Sequence, residues 1–355
     1  MERSKSDVQF IIILYLVFIA SVFRQQQMNF TFIFSFSEFK LEYIPKKDKC
    51  NRCNLTPSSI TISTNRDIII TTAFNKFNNF IPFINSLRTF NNECRVLIIT
   101  NLNTYRRFQN IIKEFQCGIE FLIIPYEFED KIDIWFYRWV IIGNFLTQNQ
   151  KYIDNVIHID LFDTIFQADP FMHFTGGNIF YFCHEDTDYY KVFDKNIWVQ
   201  SEFENTCRLT NDQNCHNINY TELIMNLHPI NAGMEAGNIK NFIKFTKVMR
   251  IYGDEKTRKG AGDDQHYLTF SMALKHFKKI FQYKILNYSN DFMLPGFRYY
   301  IGHPERTQDQ KFGNWSVEGK VPAIYHQFDR SEYYVNQVKK QCDLSGQLKD
   351  HVEMK

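Results

Sequence analysis

The sequence has almost no net charge: 41 Lys and Arg stand against 39 Asp and Glu, a formal balance of +2 over 355 residues. No long basic block breaks that balance, so the sequence encodes no charged face for a nucleic acid. Internal repeats and long low-complexity tracts are absent too, which excludes a solenoid and a largely disordered chain. Cys50 and Cys53 form the one C-x-x-C pair, with no second pair to complete a zinc ribbon. Long uncharged apolar runs are confined to Val8–Phe23.

What is present is ordinary for a globular chain: 44% hydrophobic and 23% charged residues, with aromatics at 17%. The length allows one large domain or two modest ones. Val8–Phe23 lies between the length of a signal-peptide core and that of a membrane-spanning helix, which needs about 20 residues. It reads as an uncleaved signal-anchor over residues 1–24, with a cleaved signal peptide as the alternative. The eight cysteines, an even count, and five N-x-[ST] sites (Asn29, Asn54, Asn219, Asn287, Asn314) place the C-terminal body in an oxidising lumen or outside the cell. The expected location is the Golgi or endoplasmic reticulum membrane, or else secretion. Cys207 and Cys215 are close enough to bridge a local loop, and Cys50-x-x-Cys53 reads as structural disulfide chemistry rather than a redox motif.

Residues 25–65 read as a stem, residues 66–335 as the folded domain and residues 336–355 as a polar tail. Within the domain, apolar β-branched runs at Asp67–Phe74, Cys94–Thr100, Gly118–Pro125 and Tyr152–Asp160 alternate with helical patterns at Phe77–Phe90, Asn103–Phe115 and Asp130–Thr147. Strands apolar on both faces, alternating with helices, predict an α/β fold with a mostly parallel central sheet flanked by helices. The second half is less regular. It has a strand at Asn178–Cys183, a loop-rich insertion over 184–220, a small-residue turn at Pro229–Gly237, and helices at Asn238–Tyr252 and Gly262–Leu274. Short strands are expected at Tyr283–Leu286 and Ala323–Tyr325, and the chain after Tyr334 reads as peripheral.

Ligands of such sheets bind beyond the carboxyl ends of the strands. That rim carries Thr71–Asn75, Thr100–Asn101 and the segment VIHIDLFDTIFQADPF, Val156–Phe171. Two carboxylates at the mouth of a buried strand need a cation, a metal or a hydrogen-bond network, because desolvating them is costly. Asp160 and Asp163 supply oxygen donors suited to a hard divalent cation. The bland alternative is that one caps a turn and the other makes a salt bridge. Asp169 before Pro170 suits the cap of a short helix.

The segment resembles the metal-binding region of GT-A-fold glycosyltransferases, the nucleotide-diphospho-sugar transferase superfamily, many members of which carry D-x-D at a strand end. Some of its eukaryotic groups continue to an aromatic residue and D-P-F, as in FQADPF here. NAGMEAG, DDQHYL and IYHQFDR resemble three later motifs of that family, in a compatible order over roughly residues 67–330. The resemblance implies transfer of a sugar from a UDP- or GDP-sugar to a glycan or protein hydroxyl, with Mn²⁺ or Mg²⁺ held by Asp160, Asp163 and His326. It makes Asp264, or alternatively Asp263, the carboxylate at the reacting groups. Asn231, Gly233 and Gln265 would lie near the sugars and Arg330 near the diphosphate, with Arg138 a second candidate there or else the salt-bridge partner of a neighbouring carboxylate; Phe74 or Tyr105 could stack on the base, and Thr72 belongs to the same donor-binding rim.

One departure stands out. Counting back from Asp169–Pro170, the first Asp of D-x-D falls on Leu161. Asp160 sits one residue earlier and faces the site only if the chain turns after it. Leu161 therefore supports a rival reading, a non-catalytic glycan-binding or scaffold protein of the same fold. A metal-dependent phosphoester hydrolase is the third reading and calls for a denser His/Asp set. Oligomeric state is open.

Overall fold

A computed structural model of the chain describes residues 40–46, 50, 52–55, 61–75, 79–90, 93–115, 117–125, 131–174, 177–185, 197–210, 215, 217–225, 227–257, 264–287, 290–294, 320–330 and 332–342. The chain divides into two units, Met1–Lys40 and Leu41–Lys355. The Val8–Phe23 segment, Asp263 and the sequons at Asn29 and Asn314 lie outside the described residues. No helix among the described residues is long and apolar enough to cross a membrane.

The first half is a run of β–α units. After β1 (Lys40–Lys46) come β2 (Asp67–Ala73), α1 (Phe80–Thr89), β3 (Arg95–Asn101), α2 (Leu102–Phe115), β4 (Cys117–Ile124), α3 (Lys131–Asn149) and β5 (Asn155–Ile159). β2, β3, β4 and β5 are mutually parallel where they pair. Their apolar side chains are buried on both faces, as the unbroken Ile/Val/Leu runs require. α1 is buried along its whole length, and its Arg88 survives burial because it donates to the carbonyls of Cys94, Cys117 and Gly118.

The second half contains β6 (Thr164–Phe166), β7 (Ile179–His184), α4 (Ile197–Thr210), α5 (Tyr220–Met225), β8 (Ile230–Asn238), α6 (Ile239–Thr257), α7 (Asp264–Ala273), β9 (Gln282–Leu286), β10 (Met293–Leu294), β11 (Ile324–His326) and α8 (Glu332–Gln341). The main sheet has eight strands in the order β1-β4-β3-β2-β5-β8-β7-β9, and β10-β11-β6 form a small second sheet. The result is a mixed α/β fold with a mostly parallel central sheet flanked by helices.

Three segments differ from their sequence reading. Pro229–Gly237, expected as a turn, falls almost wholly in the interior strand β8, antiparallel to both β5 and β7. Its small residues are set by close neighbours, not by a bend. A Cβ on Gly237 would stand 2.6 Å from the Phe180 ring, so tertiary packing overrides strand propensity here. Part of the loop expected over 184–220 is helix α4, closed by the Cys207–Cys215 disulfide. Beyond Tyr334 the chain continues as α8, with Tyr334, Val338 and Cys342 buried and Cys342 bonded to Cys53.

Candidate functional site

β5 ends at Ile159, and the chain turns through Asp160–Asp163 before β6 begins at Thr164. The side-chain amide of Asn79 donates to the Phe162 carbonyl, and Asp160 N–H donates to Gly233 O at 3.0 Å. The turn removes the strand alternation that separated the two carboxylates. It sends Leu161 into the hydrophobic core, fully buried among Ile159, Phe166 and Met234. An apolar residue at this position is therefore a packing requirement.

β11 pairs antiparallel with β6, His326 opposite Thr164, which carries the imidazole to the same turn. One ligand atom from each of Asp160, Asp163 and His326 lies within 4.8 Å of the other two. His326 Nδ1 is 3.0 Å from Thr164 Oγ1 and 3.2 Å from Asp163 Oδ1. With the proton on Nδ1, turned to Thr164 Oγ1 beside the Asp163 carboxylate, Nε2 presents its lone pair on the other side of the ring. Burial pushes the imidazole pKa down, but the Asp163 carboxylate, helped by Asp160, outweighs it and leaves the value raised.

Gly233 marks where Nε2 points. A Cβ there would stand 2.7 Å from Asp160 Oδ2 and 2.8 Å from His326 Nε2. Both atoms converge on a space that only the missing side chain keeps open. Two carboxylates and an imidazole around such a cradle fit a divalent cation with oxygen and nitrogen preference, such as Mn²⁺.

Asp160 is aimed by Arg138. This buried guanidinium donates to Asp160 Oδ1 at 3.3 Å, Ala232 O at 2.9 Å and Asp264 Oδ2 at 2.5 Å. Trp139 Nε1 donates to the same Asp264 oxygen at 2.9 Å. Asp264, expected at the reacting groups, is thus committed through Oδ2 to two donors on α3. Arg138, expected on the diphosphate, is engaged with two carboxylates, which hold its pKa up against the opposing effect of burial.

Behind this layer lies a fully buried cross-strand pair, His158 on β5 and Glu235 on β8, with Nδ1 and Oε2 2.7 Å apart. Burial pushes the Glu235 carboxyl well up and the His158 imidazole well down, and both shifts favour the neutral form of their group. His158 Nε2 and Glu235 Oε1 have no hydrogen-bond partner among the described residues.

The carboxylates, His326 and Arg138 line a cavity of about 660 Å³, and the His158–Glu235 pair is not part of that lining. Its lining brings together Asp160, Asp163, His326, Asn231, Gly233, Asp264, Gln265, Arg138, Thr72 and Phe74. Asn231 takes part through a self-contained bracket: Oδ1 accepts from Gly233 N–H and Nδ2 donates to Glu185, both at 2.9 Å. Tyr105 is buried in the core instead, edge-on to Phe121. The Arg330 backbone lies in the short helical turn Phe328–Arg330, its side chain outside the described residues. Asp169 caps the Pro170 turn through Phe171 N–H and also holds Ile62 and Ser63 N–H. Sequence reasoning missed Asn79, Thr164, Trp139 and the His158–Glu235 pair. Only the last left a signal: two ionisable residues inside otherwise apolar strands.

No protein-family model and no curated protein sequence matches the chain. Among solved structures, it is similar to mouse xyloside xylosyltransferase 1 in its apo form, at 13% identity and a TM-score of 0.40, over 73% of this chain and 97% of that one.

Proposed function

We propose that the chain is a glycosyltransferase that uses a nucleotide-sugar donor, with Asp160, Asp163 and His326 holding Mn²⁺ or Mg²⁺ at the donor diphosphate. The observation that carries this reading is the Gly233 cradle, where Asp160 Oδ2 and His326 Nε2 converge beyond the carboxyl end of a parallel strand. When bound, the cation neutralises the diphosphate and stabilises the leaving nucleotide as a Lewis acid.

The protein's own groups have distinct tasks. Asp163 and Thr164 keep His326 in the tautomer that offers Nε2. Arg138 orients Asp160, and Asp264 with Trp139 anchors Arg138. This assigns Asp264 to positioning. Thr72 and Phe74, at the β2 end of the cavity, are the nucleoside side, and Gln265 is on the sugar side. The acceptor is a glycan or protein hydroxyl. Two disulfides, Cys53–Cys342 and Cys207–Cys215, support an oxidising compartment such as the Golgi or endoplasmic reticulum lumen, with the N-terminal segment as a membrane anchor.

Leu161 no longer favours a non-catalytic scaffold, because its burial in the core explains its identity. The phosphoester hydrolase reading wants a second ligand group, and the described residues hold one such group. The test is release of free nucleotide from a panel of UDP- and GDP-sugars with Mn²⁺ and a mixed acceptor library. Turnover that disappears in Asp163→Ala supports the proposal. Nucleotide binding without turnover of any donor contradicts it.

A further inference from the structure

Six large hydrophobic side chains are exposed among the described residues: Ile62, Leu102, Trp135, Tyr152, Met225 and Ile251. Of these, Trp135 alone lines the cavity, and it is 38% exposed. An indole left at the mouth of a polar cavity has a large apolar face to cover, and its N–H can remain wet. Trp135 stands one helical turn before Arg138 on α3, so its backbone is fixed about 5 Å along the helix from the guanidinium that aims Asp160.

The strand order gives this position a side. β2 and β8 flank β5 from opposite directions. Thr72 and Phe74 belong to the β2 end, whereas Arg138 is tied to β8 through the Ala232 carbonyl. Asp160 and Asp163 lie between. A ligand whose diphosphate sits at the turn and whose nucleoside extends toward β2 therefore presents its sugar end to the Trp135 side. Gln265, Gln327 and Asp329 line the same cavity and supply amide and carboxylate groups of the kind that bind hydroxyls.

Resting on the proposed function, we infer that Trp135 is a stacking platform for a pyranose ring. A pyranose with equatorial hydroxyls exposes a face of C–H bonds, apolar and slightly positive. The indole face is apolar and negative. The two surfaces match, while the ring edge turns its hydroxyls toward the polar lining. Either the donor sugar or an acceptor sugar offers this chemistry.

Kinetics of wild type, Trp135→Phe and Trp135→Ala separate the two sources. The expected result is a rise of about tenfold or more in one KM for Trp135→Ala, with a smaller rise for Trp135→Phe. A rise in the donor KM assigns the donor sugar, and a rise in the acceptor KM assigns the acceptor. An equal loss of affinity for UDP or GDP alone, or no change in either KM, overturns the inference.

If the wild type turns over no donor, the functional proposal fails separately, and saturation-transfer NMR with methyl β-glucoside, β-galactoside and β-xyloside still decides the platform. Transfer to the axial ring protons in wild type that is lost in Trp135→Ala and partly kept in Trp135→Phe supports it. Equal transfer in wild type and Trp135→Ala, or none in wild type, refutes it.

Discussion

Gly233 lies against Asp160 so closely that a Cβ on the glycine would stand 2.7 Å from the carboxylate Oδ2. The same Cβ would meet His326 Nε2 at 2.8 Å, so a single methyl group competes with whatever the two side chains hold. Gly233→Ala is expected to weaken Mn²⁺ binding by about 100-fold or more. Calorimetric titration of Mn²⁺ into wild type and variant checks this, and near-equal affinity would show that nothing binds over Gly233.

Asp264→Asn should destabilise the protein by roughly 3–5 kcal/mol, because it leaves the Arg138 guanidinium buried with its main counter-charge removed. Denaturant unfolding measures the loss. If Asp264 instead serves as a reacting base at little structural cost, the variant keeps wild-type stability and loses only kcat.

The buried His158–Glu235 pair predicts a pH signature. Glu235 has a raised folded pKa, so its contribution to stability is complete below its ordinary value of 4.5 and declines as pH rises through the folded value. His158, lowered by burial, acts in the opposite direction: its contribution is present above 6.5 and declines as pH falls through its folded value. Above 6.5 His158 contributes no slope, and the raised His326 contributes the same slope to wild type and to a Glu235 variant. Glu235→Gln removes the Glu235 slope, so its stability relative to wild type should increase from pH 6.5 to pH 8. Thermal unfolding of both proteins at the two pH values tests the sign, and a constant difference contradicts it.

Cys53 and Cys342 join segments 289 residues apart in sequence. Cys342→Ser should therefore cost about 2–5 kcal/mol, chiefly through the unfolded chain. The expected readout is a fall in Tm of several degrees, with reduction lowering the Tm of the variant by less than it lowers that of wild type.

The parallel half of the sheet was legible because strands buried on both faces need unbroken apolar runs. Asp67–Ala73 and Arg95–Asn101 have no other reading. The metal group was legible as residue types but not as geometry: Asp160 joins Asp163 only because the chain leaves β5 at Ile159, and no local pattern announces that turn. β8 was hidden because INAGMEAG has the composition of a turn. Its small residues answer to Phe180, Asp160 and His326, all far away in sequence. Asp264 and Arg138 were legible as polar residues at the cavity, but their pairing with each other was not, since a buried ion pair between α3 and α7 depends on tertiary contact.

Mn²⁺ binding in the presence of UDP or GDP, followed by electron paramagnetic resonance, tests the central claim most directly. One tight Mn²⁺ per chain is expected in wild type, tightened by the nucleotide and lost in both Asp163→Ala and His326→Ala. Mn²⁺ binding of wild-type strength in either variant, or none in wild type with either nucleotide, would contradict it.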